Sequence, residues 1–519
     1  MKKLTSSVYT FEKLITSGCL YVDKTEYIWQ LLEQPYGTFF LARPRRFGKS
    51  LTLSTLKAVF QGKKHLFKGL ALESKTYDWK EYPVIHLDFG EIPAKSVKGL
   101  EAALSQSIEQ IAGDYGVKLS SDTAAMKLSE LIRQLQPRGK VVILIDEYDK
   151  PILDNIFLPP LDEIRREMED FYSIIKATEP YQRFVLLTGV SKFSKVSVFS
   201  KLNNLTDISM DADYATMCGY TQQELEHNFA EFLDLSVKKL GIPLNDLLRQ
   251  LKQWYNGYRF HSSAPTVYNP VSIAKFFESK GEFQNFWFET GTPGFLLKLA
   301  KEQQFNFEDA LSRPVSRLAF SSYEIGNLKT LPLLFQTGYL TITGTVKDQF
   351  DTFYRLGFPN REVEDAFDAY LIDEYAGVDK EDVSVIISEL DNFIRQSDID
   401  GFMSRLQIFF AGIPYDIQIA NEKYYQSIFF IVFRMLNLRI EAEARTNVGR
   451  IDAVIQTDRR IYIFEFKLDG SVEDALQQIK DKSYYEKFLA SGKEIILIGA
   501  NFSTAQRSVK TWLSESVVR

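Results

Sequence analysis

Gly449-Arg450-Ile451-Asp452-Ala453-Val454-Ile455 and Ile461-Tyr462-Ile463-Phe464-Glu465-Phe466-Lys467 decide how the last part of this 519-residue chain folds. Both stretches are apolar and rich in β-branched and aromatic residues. The polar Thr457-Asp458-Arg459-Arg460 lies between them, which predicts a β-hairpin. Strand side chains alternate faces, so Glu465 and Lys467 share one. Pairing residue 456 with 461, or 457 with 460, gives a single register that sets Asp452 opposite Glu465. Directly opposed positions have Cβ atoms roughly 5 Å apart. Two carboxylates that close repel unless a positive charge lies between them. A divalent metal ion, with hard oxygen ligands converging on it, is the natural candidate. Lys467 could stabilise a developing charge or orient a nucleophile. The same residues would also suit an ordinary charged strand face, because Glu-x-Lys alone is a common pattern.

The surroundings extend the hairpin into a domain. Glu422 to Leu438 has the apolar spacing of an amphipathic helix, and so does Val472 to Leu489. Glu494-Ile495-Ile496-Leu497-Ile498-Gly499 reads as a further strand, with a closing helix after it. The Asp…Glu-x-Lys set in this order resembles the PD-(D/E)XK nuclease superfamily over roughly the last hundred residues. The resemblance implies that Asp452 and Glu465 hold Mg²⁺ while Lys467 helps activate water on a phosphodiester. Gln478 matches a glutamine found near the metal in RecB-like members. Those members carry a tyrosine four residues later, where this chain has Lys482. Glu422 could add a carboxylate or be a solvated helix charge. Glu441 and Glu443 flank the site in sequence.

A second set of motifs lies near the front. Thr38-Phe39-Phe40-Leu41-Ala42 is a short apolar strand, followed by Arg43-Pro44-Arg45-Arg46-Phe47-Gly48-Lys49-Ser50 and a helical pattern from Leu51 to Phe60. Strand, loop ending in Gly-Lys-Ser, and helix form the context of a phosphate-binding loop. There the helix N-terminus and backbone N–H groups face an anion. Arg46, Gly48, Lys49, Ser50 and Leu51 are the candidate ATP contacts, with the Ser50 hydroxyl on Mg²⁺. The pattern's first glycine falls at Arg43, where a strained backbone would cost ~1–3 kcal/mol, so a different loop shape is expected. Arg43, Arg45 and Arg46 could grip phosphate or pair with acids.

Val141-Val142-Ile143-Leu144-Ile145-Asp146-Glu147 is a continuous apolar run ending in two acids, as in a buried parallel strand. Asp146 would assist Mg²⁺ and Glu147 would polarise the attacking water. The acids could also merely cap a turn. Val84 to Phe89 and Phe184 to Ser191 supply further strands, with helices around Leu100–Ile111 and Met126–Leu135. This alternation predicts a doubly wound parallel sheet with its ligand at the strands' carboxyl ends. The extra strand between the two motifs resembles the AAA-type and related ATPases, and that resemblance implies that Thr188 and Ser191 stand at a polar sensor near the γ-phosphate. Arg183 is a candidate arginine finger.

Taken with Tyr21-Val22-Asp23-Lys24-Thr25, Leu144-Ile145-Asp146-Glu147-Tyr148-Asp149-Lys150-Pro151, Trp254-Tyr255-Asn256-Gly257-Tyr258-Arg259-Phe260, Tyr268-Asn269-Pro270, Asn285-Phe286-Trp287 and Thr290-Gly291-Thr292-Pro293, the loop resembles the bacterial AAA-ATPase-like family. Members of that family commonly carry a C-terminal PD-(D/E)XK nuclease-like domain, so the resemblance covers nearly the whole chain. It implies ATP and Mg²⁺ as cofactors, and nucleic acid, DNA rather than RNA, as partner. A protein partner or a homo-oligomer is also open. The expected function is an ATP-binding, ATP-hydrolysing protein whose nucleotide state regulates a Mg²⁺-dependent DNA nuclease domain. The alternative is a nucleotide switch whose nuclease fold only binds DNA or a protein.

Composition sets the limits. With 45% hydrophobic and 14% aromatic residues, the chain can build several cores. A net charge of −6 argues against a basic coat, so any DNA site must be a local patch. Two cysteines and four scattered histidines offer neither a disulfide framework nor a zinc cluster, and point to a reducing cytoplasm. Met1-Lys2-Lys3 has no apolar run behind it, which argues against a signal peptide. No membrane span is expected. The expected α/β architecture has a P-loop domain over 1–220, a mainly helical middle over 221–410, and a nuclease-like domain over 411–519. In the middle, Leu225, Phe229, Phe232, Leu233 and Val237 form one apolar helix face, read as core. The Gly257-Tyr258 turn reads as a packed turn, with a base contact as the other possibility.

Overall fold

The computed structural model describes residues 2–34, 37–192, 204–287, 294–303, 305, 307–320, 329–349, 351–413, 422–437, 441–447 and 450–517. For 308, 309, 318, 319, 380, 381, 422–427, 437, 441–447 and 450–452 only the backbone is described. The Thr290–Pro293 landmark and the side chains of Glu422, Glu441, Glu443 and Asp452 therefore lie outside the described residues. The chain forms two compact units: Met1–Thr292 with Pro314–Glu362, and Pro293–Arg313 with Val363–Arg519. The region from Thr221 onward is shared between them.

The first unit is built on a five-stranded sheet. Its strands are β1 (Thr38–Ala42), β2 (Val84–Asp88), β3 (Val141–Asp146), β4 (Gln182–Gly189) and β5 (Thr206–Asp207). All pair in parallel, in the order β2-β3-β4-β1-β5. Every residue of β1 and β3 is buried, as continuous apolar runs require in a sheet covered on both faces. The helices Lys49–Phe60, Val97–Asp114, Ala124–Leu135 and Leu161–Ala177 alternate with the strands. Two start at hydroxyl caps, Ser96 accepting from the Gly99 amide and Thr123 from that of Met126. The chain reverses direction along the sheet at β1. The loops after β1 and β3 thus open at the crevice where ligands of such sheets bind.

Helices pack beside this sheet within the same unit. Thr221 and Glu224 form a capping box that starts Gln222–Asn228. The helix face read in the sequence breaks at Phe229, and Ala230–Leu240 follows as a separate helix. Leu225, Phe229 and Leu233 are buried with Leu251, Tyr255 and Phe276, while Phe232 and Val237 pack at the margin. Gly257 sits at φ +104°, and a Cβ there would lie 1.7 Å from the Pro359 carbonyl oxygen. Only glycine fits. The turn delivers the buried Tyr258 ring edge-on to Phe47 at 4.7 Å, so it is a packed turn.

The second unit holds a mixed sheet of β8 (Glu441–Asn447), β9 (Arg450–Gln456), β10 (Arg460–Leu468), β11 (Glu494–Ser503) and β12 (Ser508–Ser516). Strands β6 (Thr341–Lys347) and β7 (Thr352–Gly357) form a separate hairpin in the first unit. The five strands run in the order β12-β11-β10-β9-β8, with β10 and β11 parallel and the other pairs antiparallel. Both faces of β10 are covered. Phe464 and Phe466 pack on Phe433 and Phe429 of the Glu422–Asn437 helix. Ile461 and Ile463 pack on Leu476 and Ile479 of the Val472–Asp481 helix.

One expectation is corrected. The closing helix is strand β12, antiparallel to β11. Val509, Trp512, Leu513 and Val517 have helical spacing, but short apolar runs are ambiguous between the two periods. The β11 edge decides by offering unpaired backbone groups. Side chains then fix β12 in place: Ser508 Oγ donates to the Gln407 carbonyl (2.9 Å) and Trp512 Nε1 to Asp400 (2.8 Å). The second helix also ends sooner than expected, at Asp481.

Candidate active sites

At the loop after β1, the position where a glycine was expected holds a structural arginine. Arg43 is 1% exposed. Its guanidinium donates to the carbonyls of Ala42 (2.9 Å), Ser209 (2.6 Å) and Tyr214 (2.9 Å) and stacks 4.1 Å from the Phe260 ring centroid. Burial pushes its pKa down to about 10. Arg43 therefore does not grip phosphate. The loop's left-handed positions are Arg46 at φ +65° and Gly48 at φ +93°, so the strain expected at 43 falls three residues later. Phe47 anchors the loop from the other side, buried against Tyr258 and Phe260.

Lys49 starts the helix after the loop and is 6% exposed. Its Nζ donates to the carbonyls of Arg43 and Pro44, both at 3.0 Å. Burial lowers its pKa, opposed by the nearby Asp146, Glu147 and Asp149. Ser50 and Leu51 follow in the first helical turn, where N–H groups remain unpaired within the helix. Arg46, Gly48, Lys49, Ser50, Leu51 and Glu147 all line one cleft of about 630 Å³. Its lining also includes the apolar Leu4, Val8, Leu20, Phe229 and Val271, residues to which the sequence reading gave no site role.

The acids stand at the ends of β2 and β3. Asp146 Oδ1 accepts from the Thr188 hydroxyl (2.5 Å) and the Glu147 amide (3.0 Å). Thr188 is fully buried, so it orients Asp146 from behind. Ser191, read with it as a sensor, instead donates its hydroxyl to Asp149 (2.6 Å). Glu147 adopts φ +50°, and burial raises its pKa. Asp88, opposite Asp146 in the β2–β3 register, is raised to about 6 by burial. A Cβ on Gly90 would lie 2.8 Å from Asp88 Oδ1 and 3.0 Å from Glu147 Oε2, so that glycine leaves room for both carboxylates. An acid closing the Val84–Asp88 strand was the sequence signal for Asp88. Lys24, which also lines the cleft, is paired with Glu224 (2.7 Å). One earlier candidate lies elsewhere. Arg183 donates to the Gln34 and Leu32 carbonyls and is no finger in this arrangement.

In the second unit the hairpin register is the expected one. Ile461 pairs with Gln456, and Glu465 stands opposite Asp452. Glu465 is fully buried. Its carboxylate accepts from Gln478 Nε2, and Lys467 Nζ lies 3.7 Å away and donates to Gln478 Oε1. Gln478 thus bridges the acid and the lysine. Gly499, paired with Glu465 in the β10–β11 register, makes this possible. A Cβ there would meet the Val472 carbonyl at 2.5 Å, so glycine lets the Gln478 helix lie down on the sheet. Among the described residues no three His, Cys, Asp or Glu side chains cluster as metal ligands.

The described acids Asp146 and Glu465, both buried, nevertheless suit a hard divalent cation. A fully buried carboxylate needs compensating positive charge, and hydroxyl and carboxylate oxygens are what Mg²⁺ takes. Ser50 with Asp146 would hold it at the first site, and Glu465 with Asp452 at the second.

Fold and sites together define a P-loop ATPase-type sheet joined to a nuclease-type α/β unit. Residues 6–199 match the family described as a predicted AAA-ATPase, and residues 420–512 match the PD-(D/E)XK nuclease superfamily. The chain belongs to the AAA-ATPase-like family that carries a C-terminal PD-(D/E)XK nuclease superfamily domain. It is similar to a protein of Azotobacter chroococcum mcd 1 described as an uncharacterized protein in the vnfD 5' region. The two are 39% identical over 532 residues, spanning 99% of each chain. No helix among the described residues is long and apolar enough to cross a membrane.

Proposed function

We propose that this protein binds and hydrolyses ATP in its first unit and cleaves DNA in its second, with the nucleotide state regulating cleavage. The observation that carries the reading is the fully buried Glu465, opposite Asp452 in register and tied to Lys467 through Gln478. Burying a carboxylate beside another acid is costly for a merely structural strand. It is useful where charge must be concentrated for phosphodiester chemistry.

In this reading the Gly48, Lys49, Ser50 and Leu51 segment binds the nucleotide phosphates, with Arg46 at its rim. Asp146, oriented by Thr188, and Ser50 complete the first site, and Glu147 orients the attacking water. At the second site Lys467 orients water toward the phosphorus. Bound Mg²⁺ would polarise phosphoryl oxygens and lower the pKa of bound water at either site. Residues 1–220 would serve nucleotide binding, 221–410 would relay its state, and 411–519 would carry the nuclease chemistry. The protein would act in the cytoplasm on DNA, alone or as an oligomer.

The test is cleavage of single- and double-stranded DNA with Mg²⁺ or Mn²⁺, with and without ATP, by wild type and Asp452→Asn. Cleavage by wild type alone supports the nuclease, and an ATP effect supports coupling. DNA bound but never cut would leave a binding module instead.

A further inference from the structure

Arg46 and Glu362 meet at the Phe286–Trp287 segment of the first unit. Arg46 takes a left-handed backbone in the nucleotide loop, and its Nη1 donates to the Phe286 carbonyl at 2.7 Å. Glu362 is fully buried. Its carboxylate accepts from the Ser272 hydroxyl and the Trp287 amide, both at 2.8 Å. Trp287 Nε1 returns to the loop, donating to the Arg45 carbonyl at 3.3 Å. The same two-residue segment is thus held by the loop on one side and by a buried acid on the other. Ser272 and Lys275 lie on the Pro270–Glu278 helix, whose residues Pro270, Val271, Ala274 and Lys275 line the nucleotide cleft.

We propose that Glu362 is a positioning residue for the nucleotide site: its carboxylate competes with bound phosphate for the Arg46 guanidinium. The inference rests on the nucleotide reading given above. Phosphate in the loop would draw Arg46 away from the Phe286 carbonyl, and an ionised Glu362 resists that movement. Charged and titratable groups around Glu362 are Arg46, Lys275, Tyr255 and Tyr258. Burial raises the Glu362 pKa to about 8, so its charge changes within an accessible range. Glu362 lies in the first turn of the Arg361–Ala376 helix, which continues into the second unit. Release of Arg46 would therefore be felt at the start of that helix.

ATP titration of the full chain at pH 7 and pH 9, by calorimetry, tests this. Wild type should bind ATP several-fold more weakly at pH 9, more than Lys49 alone explains. Glu362→Gln should lose that extra weakening and bind ATP at pH 7 as wild type does. Ser272→Ala keeps the carboxylate but removes a donor that favours its ionised form. It should move the loss of affinity to higher pH, and it tests the idea even if Glu362→Gln folds poorly. Backbone hydrogen exchange of residues 285–287 and 361–376 should change with ATP in wild type and change less in Glu362→Gln. Equal pH dependence in all three proteins, with ATP bound, would overturn the role of Glu362 and leave the nucleotide site standing. No ATP binding by wild type at either pH would overturn both.

Discussion

Glu465 stands directly opposite Asp452 in the β9–β10 pair, and the Lys467 ammonium lies 3.7 Å from the Glu465 carboxylate. Charge of both signs is thereby concentrated at one point of a sheet whose other β10 side chains are mostly apolar.

If this point is a metal-assisted nuclease site, Glu465→Gln and Asp452→Asn each lower the DNA cleavage rate by roughly a hundredfold or more, because several kcal/mol of charge stabilisation are lost. ATP affinity should stay unchanged in both. Gel assays alongside nucleotide titration check the two outcomes together. Both changes nearly preserve side-chain shape, so folding should survive, and circular dichroism verifies it.

Arg43→Gly would restore the glycine usual at the head of a phosphate loop, yet it should harm the protein. Three charge-assisted hydrogen bonds and the stacking on Phe260 would disappear. The expected loss is about 3 kcal/mol, seen as a lower urea midpoint for the first unit. A gain in ATP affinity would show that Arg43 obstructs the loop instead of building it.

Glu362 makes stability fall with rising pH. Its folded pKa, about 8, lies above the unfolded value, so the folded state holds the extra proton. That contribution is full below the unfolded pKa and is lost as pH rises through about 8, at no more than ~1.4 kcal/mol per pH unit. Thermal melts without nucleotide should find Glu362→Gln more stable than wild type at pH 9, with little difference at pH 5. Parallel curves would remove Glu362 as a source of the pH dependence.

Gly499→Ala separates the two units. Its methyl would press on the Val472 carbonyl and on Leu476, shifting the helix that carries Gln478. We expect a loss of about 1–3 kcal/mol in the second unit, with reduced DNA cleavage and normal ATP binding. Two-stage unfolding followed by calorimetry distinguishes this from global damage.

The hairpin register was legible because side chains alternate every second residue and the link between the strands is short. One slip would have turned Glu465 to the opposite face. The position of the β3 acids was legible because the continuous, largely β-branched run Val141–Ile145 fits a strand covered on both faces, and the strand ends at Asp146. Arg43 was not. Its place in the motif is visible, but its direction is set by the Ser209 and Tyr214 carbonyls, far away in sequence. The closing helix failed where spacing was compatible with both periods and the free edge of β11 chose. The apolar lining of the cleft was hidden because Leu4, Phe229 and Val271 line one cleft only in three dimensions.

The threading of the chain has a consequence for how the protein is made. Residues 293–313 belong to the second compact unit, but residues 314–362 return to the first before the second resumes at Val363. On the ribosome, that short strip emerges before the Arg361–Ala376 and Glu422–Asn437 helices it packs on, while the first unit still awaits its last portion. Neither unit can be finished by a continuous stretch of nascent chain. A fragment starting at residue 411 would lack the strip and also the Ile399–Ala411 helix whose Gln407 and Asp400 hold β12. Synthesis in one piece is thus built into the connectivity, because each unit draws on two separate stretches of chain.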